Sequence, residues 1–118
     1  MYKAEVGTLS NLSLQQYSSV FILVDENTVK HCYPKVLGLL PQHHIIQIHS
    51  GEEYKTLQTC ELIWQQLTDA NADRKAVLIN LGGGVIGDLG GFAASCYKRG
   101  ISFINIPTTL LAMVDASV

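Results

Sequence analysis

The stretch AVLINLGGGVIGDLGGFAASC (residues 76–96) decides the fold. Its first six residues are an apolar run with β-branched members, Val77 and Ile79, the composition of a short buried strand. Three glycines follow at once, Gly82, Gly83 and Gly84. Beyond them Ile86, Leu89, Ala93 and Cys96 recur at three- and four-residue steps, one stripe of a helix. The stretch is therefore a strand, a tight glycine turn and a helix N-terminus. Glycine reaches positive φ and lets a ligand come close to the backbone. The unpaired amides of a first helical turn, backed by the helix dipole, suit a pyrophosphate. Gly82, Gly84 and Gly87 also satisfy G-x-G-x-x-G. That pattern normally follows the first strand and has an acid about twenty residues on. Here it follows a later strand, Pro107 and its neighbours stand where the acid belongs, and the strand-end acid, Asp25, comes earlier. Glycine-rich turns also serve plain packing, so both uses stay open at this point. Asp88 is placed by the same pattern in the first helical turn, either as a carboxylate favoured by the dipole or as one at the mouth of a cofactor site. Gly90 and Gly91 each cost a helix interior about 1 kcal/mol relative to Ala, which calls for close packing or a ligand there.

Three more apolar runs flank this unit: VFILV (20–24), IIQI (45–48) and ISFINI (101–106). All four read as strands buried on both faces of a parallel sheet. Between them lie helical stripes. Val29, Cys32, Tyr33, Val36, Leu37 and Leu40 form one, interrupted by Pro34, which predicts a kink or two short helices. Leu57, Cys60, Trp64 and Leu67 form another. Strands alternating with helices predict an α/β fold, a parallel sheet with helices on both faces. A further strand over 2–6 is weakly signalled.

The chain has 118 residues, 47% of them hydrophobic, 15% charged, and a formal net charge of −2, which fits one domain with a real core. No Lys/Arg cluster offers a footprint for nucleic acid or an anionic membrane, and no apolar run approaches the ~18 residues of a membrane span. The N-terminus lacks the apolar core of a secretory signal. Cys32, Cys60 and Cys96 lie far apart and predict buried thiols in a reducing cytoplasm. His31, His43, His44 and His49 have no metal-ligand spacing and read as solvated or helix-face residues. The closing TTLLAMVDASV has neither a helix stop signal nor a polar tail, so the chain reads as cut rather than ended.

Residues 82–118, GGGVIGDLGGFAASCYKRGISFINIPTTLLAMVDASV, closely resemble the signature stretch of the 3-dehydroquinate synthase family, NAD-dependent enzymes of the shikimate pathway. SGEEYK (50–55) is similar to that family's acidic-Lys cofactor loop, and LVDEN (23–27) to its strand-end acid. The resemblance implies a Rossmann-like N-terminal NAD-binding domain over 1–118, with a helical, metal-binding second domain beyond Val118. It implies that Asp25 and Asn27 face the adenosine end of NAD, with Ser50, Gly51, Glu52 and Lys55 completing that pocket. Gly84, Val85, Ile86 and Gly87 would cradle the pyrophosphate, and Asp88 would meet the nicotinamide ribose. Thr108 and Thr109 would also bind cofactor, and Asp115, seven residues past Thr108 on the same helix face, would contact substrate. Arg99 matches an arginine used on substrate phosphate in the neighbouring subunit of a homodimer.

Purely structural uses stand beside these. Arg99-Gly100 fits a helix C-terminus, Thr108 an N-cap, and Ser50 with Glu53 a capping box. The family oxidises a seven-carbon sugar acid phosphate, eliminates phosphate, returns the hydride and closes the ring by an aldol step. A divalent metal, zinc or cobalt, polarises the oxidised hydroxyl; its glutamate and histidine ligands, and a Gly-Gly-Lys-Thr segment, are expected beyond Val118. The chain alone is accordingly expected to be inactive. Iron-dependent alcohol and glycerol dehydrogenases carry Asp-x-x-Lys after the glycine turn, whereas Asp88 is followed by Gly91. Other sugar-phosphate cyclases depart around Asp88 and over 114–118. A free-standing nucleotide-binding module is the non-enzyme alternative.

Overall fold

The computed structural model describes residues 14–108, and in them four parallel strands form one sheet. The strands are β1 (Val20–Asp25), β2 (His44–Ile48), β3 (Val77–Leu81) and β4 (Ser102–Ile106), in the order β2-β1-β3-β4. Leu23 pairs with Ile46 on one side and Asn80 on the other, and Asn80 pairs with Asn105. The predicted strand over 2–6 lies outside the described residues.

Side-chain alternation splits the core in two. Phe21, Leu23, Leu78 and Phe103 point to one face, where helices α3 (Leu57–Asp69) and α4 (Gly84–Cys96) cover them. Val20, Ile22, Val24, Val77, Ile79, Leu81, Ile104 and Ile106 point to the other, against α1 (Glu26–His31), α2 (Tyr33–Val36) and Leu14. The chain runs outward from β1 to β2, then returns past β1 to β3. Right-handed crossovers in opposite directions put helices on opposite faces, as expected from the strand–helix alternation. Pro34 sits in the first turn of α2, and the stripe it interrupts is two short helices. Among the described residues, no helix is long and apolar enough to cross a membrane.

Three expectations need correction. Strand β2 is an edge among the described residues, with His44, Ile45 and Gln47 exposed, so its apolar run is buried on one face only. Cys96 is exposed rather than buried, because α4 turns it away from the sheet just before the chain leaves the helix. Leu57, the first residue of α3, is also exposed, and Ile63 takes a core place instead.

Helix α4 lies unusually close to the sheet. A Cβ at Gly90 would stand 1.8 Å from Asn80 Oδ1 and 2.3 Å from its Cγ, and one at Gly91 would stand 3.2 Å from Phe103 Cε2. Close packing is thus what these two glycines supply. Asn80 is buried beneath the helix, donates through Nδ2 to Asn105 Oδ1 at 3.0 Å, and leaves Oδ1 without a hydrogen-bond partner. Trp64 Nε1 donates to Ala93 O at 2.9 Å and ties α3 to α4. Gly90→Ala should therefore destabilise the chain by about 1–3 kcal/mol, the usual cost of overpacking, despite the better helix propensity of alanine. Asn80→Ala in the same chain should restore most of that loss. Urea denaturation of the two variants and their combination checks it; equal stability of Gly90→Ala and the parent would contradict this packing.

Candidate functional site

The strand order reverses between β1 and β3, so a crevice opens at the carboxyl ends of these two neighbours. Asp25 ends β1, and Gly82 follows β3 directly. The glycine turn is therefore at the switch point even though it follows a later strand than the usual fingerprint.

Gly82 has φ +153°, a conformation that strains any residue with a side chain, and a Cβ there would meet Ile86 Cδ1 at 2.7 Å. Gly82 N donates to Ile106 O at 3.1 Å, holding the turn against β4. Gly83 is the N-cap of α4, with no side chain capping it. A Cβ on Gly83 or on Gly84 would meet nothing within 4 Å. The first intrahelical bond of the turn is Gly87 N to Gly83 O at 3.0 Å, leaving the amides of Gly84, Val85 and Ile86 without a helical acceptor. Among the described residues, no side chain comes within 4 Å of where a Cβ on either glycine would stand. That opening and those donors fit a phosphate group.

Helix α4 starts at Gly84, so Asp88 falls in its second turn and not its first, and a direct dipole effect on the carboxylate is correspondingly weaker. Its partner is Lys55, whose Nζ lies 2.9 Å from Asp88 Oδ2 and 3.7 Å from Glu52 Oε1. The Asp88 carboxylate, through this hydrogen bond, raises the Lys55 ammonium above its usual range. The pair bridges the loop after β2 and helix α4. Its contribution to stability is complete below the unfolded value and is lost as pH rises through the higher folded one.

Around the tip of β1, Asp25 is almost wholly buried and forms a capping box with Thr28. Asp25 Oδ1 accepts from Asn27 N and Thr28 N, both at 2.8 Å, while Asp25 N donates to Thr28 Oγ1 at 2.9 Å. The capping box anticipated at Ser50 and Glu53 does not form; Gly51 caps a 3-10 turn over Glu52–Tyr54, and Thr56 caps α3. Ser50 is instead held by Glu26, whose two carboxylate oxygens accept from Ser50 N at 3.0 and 3.3 Å, and from its hydroxyl. Asn27 Nδ2 donates to Ser50 Oγ at 3.4 Å. The Ser50 hydroxyl keeps the Glu26 carboxyl below the ordinary range. Sequence reasoning missed Glu26 because the loop it grips is 24 residues away.

Asp25, Asn27, Ser50, Gly51, Glu52 and Lys55 thus lie along the carboxyl ends of β1 and β2, joined through Lys55 to the α4 turn that carries Gly84, Val85, Ile86, Gly87 and Asp88. Thr108 stands two residues beyond β4, while Thr109 and Asp115 lie outside the described residues. Arg99 is elsewhere. It follows the far end of α4, about 20 Å along the helix axis from Gly84. Lys98 and Arg99 both have positive φ, 47° and 69°, ahead of Gly100 at 112°. Gly100 N donates to Tyr97 O at 2.7 Å, the tight helix exit that the Arg-Gly pair suggested. Among the described residues, no three His, Cys, Asp or Glu side chains gather into a metal site.

Comparison with known proteins gives a consistent picture. The chain is 47% identical over 127 aligned residues to the 3-dehydroquinate synthase of Campylobacter jejuni subsp. jejuni (strain 81-176); the match covers 99% of this chain and 33% of the relative. The chain thus spans about a third of the length of the curated relatives it matches. A solved 2-deoxy-scyllo-inosose synthase, complexed with carbaglucose-6-phosphate, NAD+ and Co2+, superposes with TM-score 0.72 at 26% identity, over 91% of this chain and 32% of that one. A 2-epi-5-epi-valiolone synthase from Streptomyces hygroscopicus, with NAD+ and Zn2+ bound, gives TM-score 0.67 at 30% identity, over 88% and 31%. Residues 45–118 match the family model described as 3-dehydroquinate synthase N-terminal. With a full-span relative at this identity and a family model over most of its length, the chain belongs to the 3-dehydroquinate synthase family.

Proposed function

We propose that this chain is the NAD-binding N-terminal domain of a 3-dehydroquinate synthase, which converts 3-deoxy-D-arabino-heptulosonate 7-phosphate to 3-dehydroquinate and phosphate. The open, glycine-walled mouth at the start of α4, with three unpaired amides behind it, carries the reading. Gly84, Val85, Ile86 and Gly87 hold the pyrophosphate through their backbone and their lack of bulk. Asp25, Asn27, Ser50, Gly51, Glu52 and Lys55 shape the adenosine end, and Asp88 meets the nicotinamide ribose. Thr108 and Thr109 add further cofactor contacts.

NAD, when bound, supplies a reversible hydride acceptor. The chain's own work is orientation: the turn fixes the pyrophosphate, and the carboxylates on either side of it fix the two riboses. Lys55, already paired with Asp88, supplies a cation next to the phosphate mouth and balances the charges gathered there. Asp115 contacts the sugar acid phosphate. Arg99, at the opposite end of α4 from the glycine turn, serves a neighbouring subunit of a homodimer, where a guanidinium takes phosphate bidentately. The divalent ion, seen as Co2+ or Zn2+ in the solved neighbours, would be held by a metal-binding second domain, where it would polarise the hydroxyl being oxidised. A cytoplasmic setting agrees with the free thiols.

A second reading is another sugar-phosphate cyclase, favoured by the likeness of the fold to the solved 2-deoxy-scyllo-inosose and 2-epi-5-epi-valiolone synthases. Identity favours the first: 47% to the curated synthase against 26% and 30% to those cyclases.

Two outcomes are expected. Because a Cβ at Gly84 meets nothing within 4 Å among the described residues, Gly84→Ala should fold like the parent yet bind NAD about tenfold more weakly, a loss of about 1.4 kcal/mol. Asp88→Asn should also weaken binding, with Lys55 returning toward its ordinary range. Calorimetric titration with NAD measures the affinities, and a flat titration of the parent chain counts against binding by this domain unaided. Joined to the remaining two thirds found in relatives, the chain should release phosphate from the seven-carbon substrate, and the 118-residue chain alone should not. A phosphate-release assay on both decides the matter.

A further inference from the structure

The loop after β2 carries four of the residues proposed for the adenosine end, Ser50, Gly51, Glu52 and Lys55, yet it leaves an edge strand. Something must hold it against β1. The Glu26 carboxylate reaches from the first turn of α1 and takes both the Ser50 amide and the Ser50 hydroxyl. Asn27 Nδ2 adds a contact to the same hydroxyl at 3.4 Å. Ser50's backbone donor and its hydroxyl are therefore engaged by the neighbouring helix. The next residue, Gly51, has φ +114°, and any Cβ there would stand 1.9 Å from Glu53 Oε1. A loop pinned on one side by a carboxylate and bent on the other through a glycine has little freedom left.

We propose that Glu26 is a positioning residue: its carboxylate latches Ser50 and so fixes the Gly51–Glu52 wall on which the adenosine end of the dinucleotide seats. This inference rests on the NAD reading above. Glu26 need not touch the ligand. Hydrogen bonds to an ionised carboxylate are the stronger kind, and ordering the loop in advance removes that cost from the binding step.

The test is NAD titration of the parent 118-residue chain, Glu26→Ala, Glu26→Gln, Ser50→Ala and the Glu26→Ala/Ser50→Ala double variant. Glu26 is exposed, so its replacement leaves the core intact. Glu26→Ala should weaken binding about tenfold, and Glu26→Gln, which keeps an acceptor at similar reach, only about threefold. The double variant should bind no more weakly than Glu26→Ala alone, since both changes open one latch. Without ligand, the Ser50 and Gly51 amide resonances should shift in Glu26→Ala and much less in Glu26→Gln. Parent-like affinity of Glu26→Ala, or additive losses in the double variant, overturns the proposal while the NAD reading stands. If the parent itself gives no saturable binding, the latch proposal falls together with NAD binding by this chain unaided.

Discussion

Everything at the candidate site depends on how closely α4 can approach β3 and β4. The helix descends onto Asn80 and Phe103 where Gly90 and Gly91 withhold their side chains. That contact sets the helix axis, and the axis aims the first-turn amides into the crevice beside β1. A bulkier residue at the contact would lift the helix, and the amides would lose their aim while remaining in the chain. Asn80 shows what the approach demands: its one side-chain oxygen is buried without a hydrogen-bond partner among the described residues, a state that proteins rarely tolerate.

The second constraint is topological. Because β1 and β3 are neighbours with crossovers leaving in opposite directions, a crevice opens between their carboxyl ends. Asp25 and the glycine turn come from segments more than fifty residues apart in the chain, and the sheet alone makes them neighbours. The loop after β2 then extends the same surface outward. Lys55 and Glu26 stitch that loop to α4 and to α1, one at each end.

Much of this was legible in the residues. The four strands, the broken helix at Pro34 and the strand–turn–helix unit each follow from local composition and period, which act over a few residues. The glycine turn was legible as a ligand mouth only in part, since the same pattern serves packing; Gly90 and Gly91 serve packing, whereas Gly83 and Gly84 stand open. The edge position of β2 was hidden, because IIQI has the same apolar density as an inner strand and only strand order distinguishes them. Glu26 was hidden for a related reason. An exposed glutamate at the start of a helix looks like a dipole-favoured surface residue until the loop 24 residues away is brought beside it.

The turn that follows α4 has a bearing on what limits this sequence's freedom to change. Lys98 and Arg99 occupy backbone territory that glycine visits without penalty, and each costs the fold something of order 1 kcal/mol to hold there. Thermal robustness alone would favour glycine at both. Lys98 recovers part of the deficit by lying over the Tyr97 ring, 5.7 Å from its centroid. Arg99 shows no such recompense within the described contacts. Robustness and the retention of a guanidinium therefore pull this position in opposite directions, and stabilising this turn with glycine would erase the arginine.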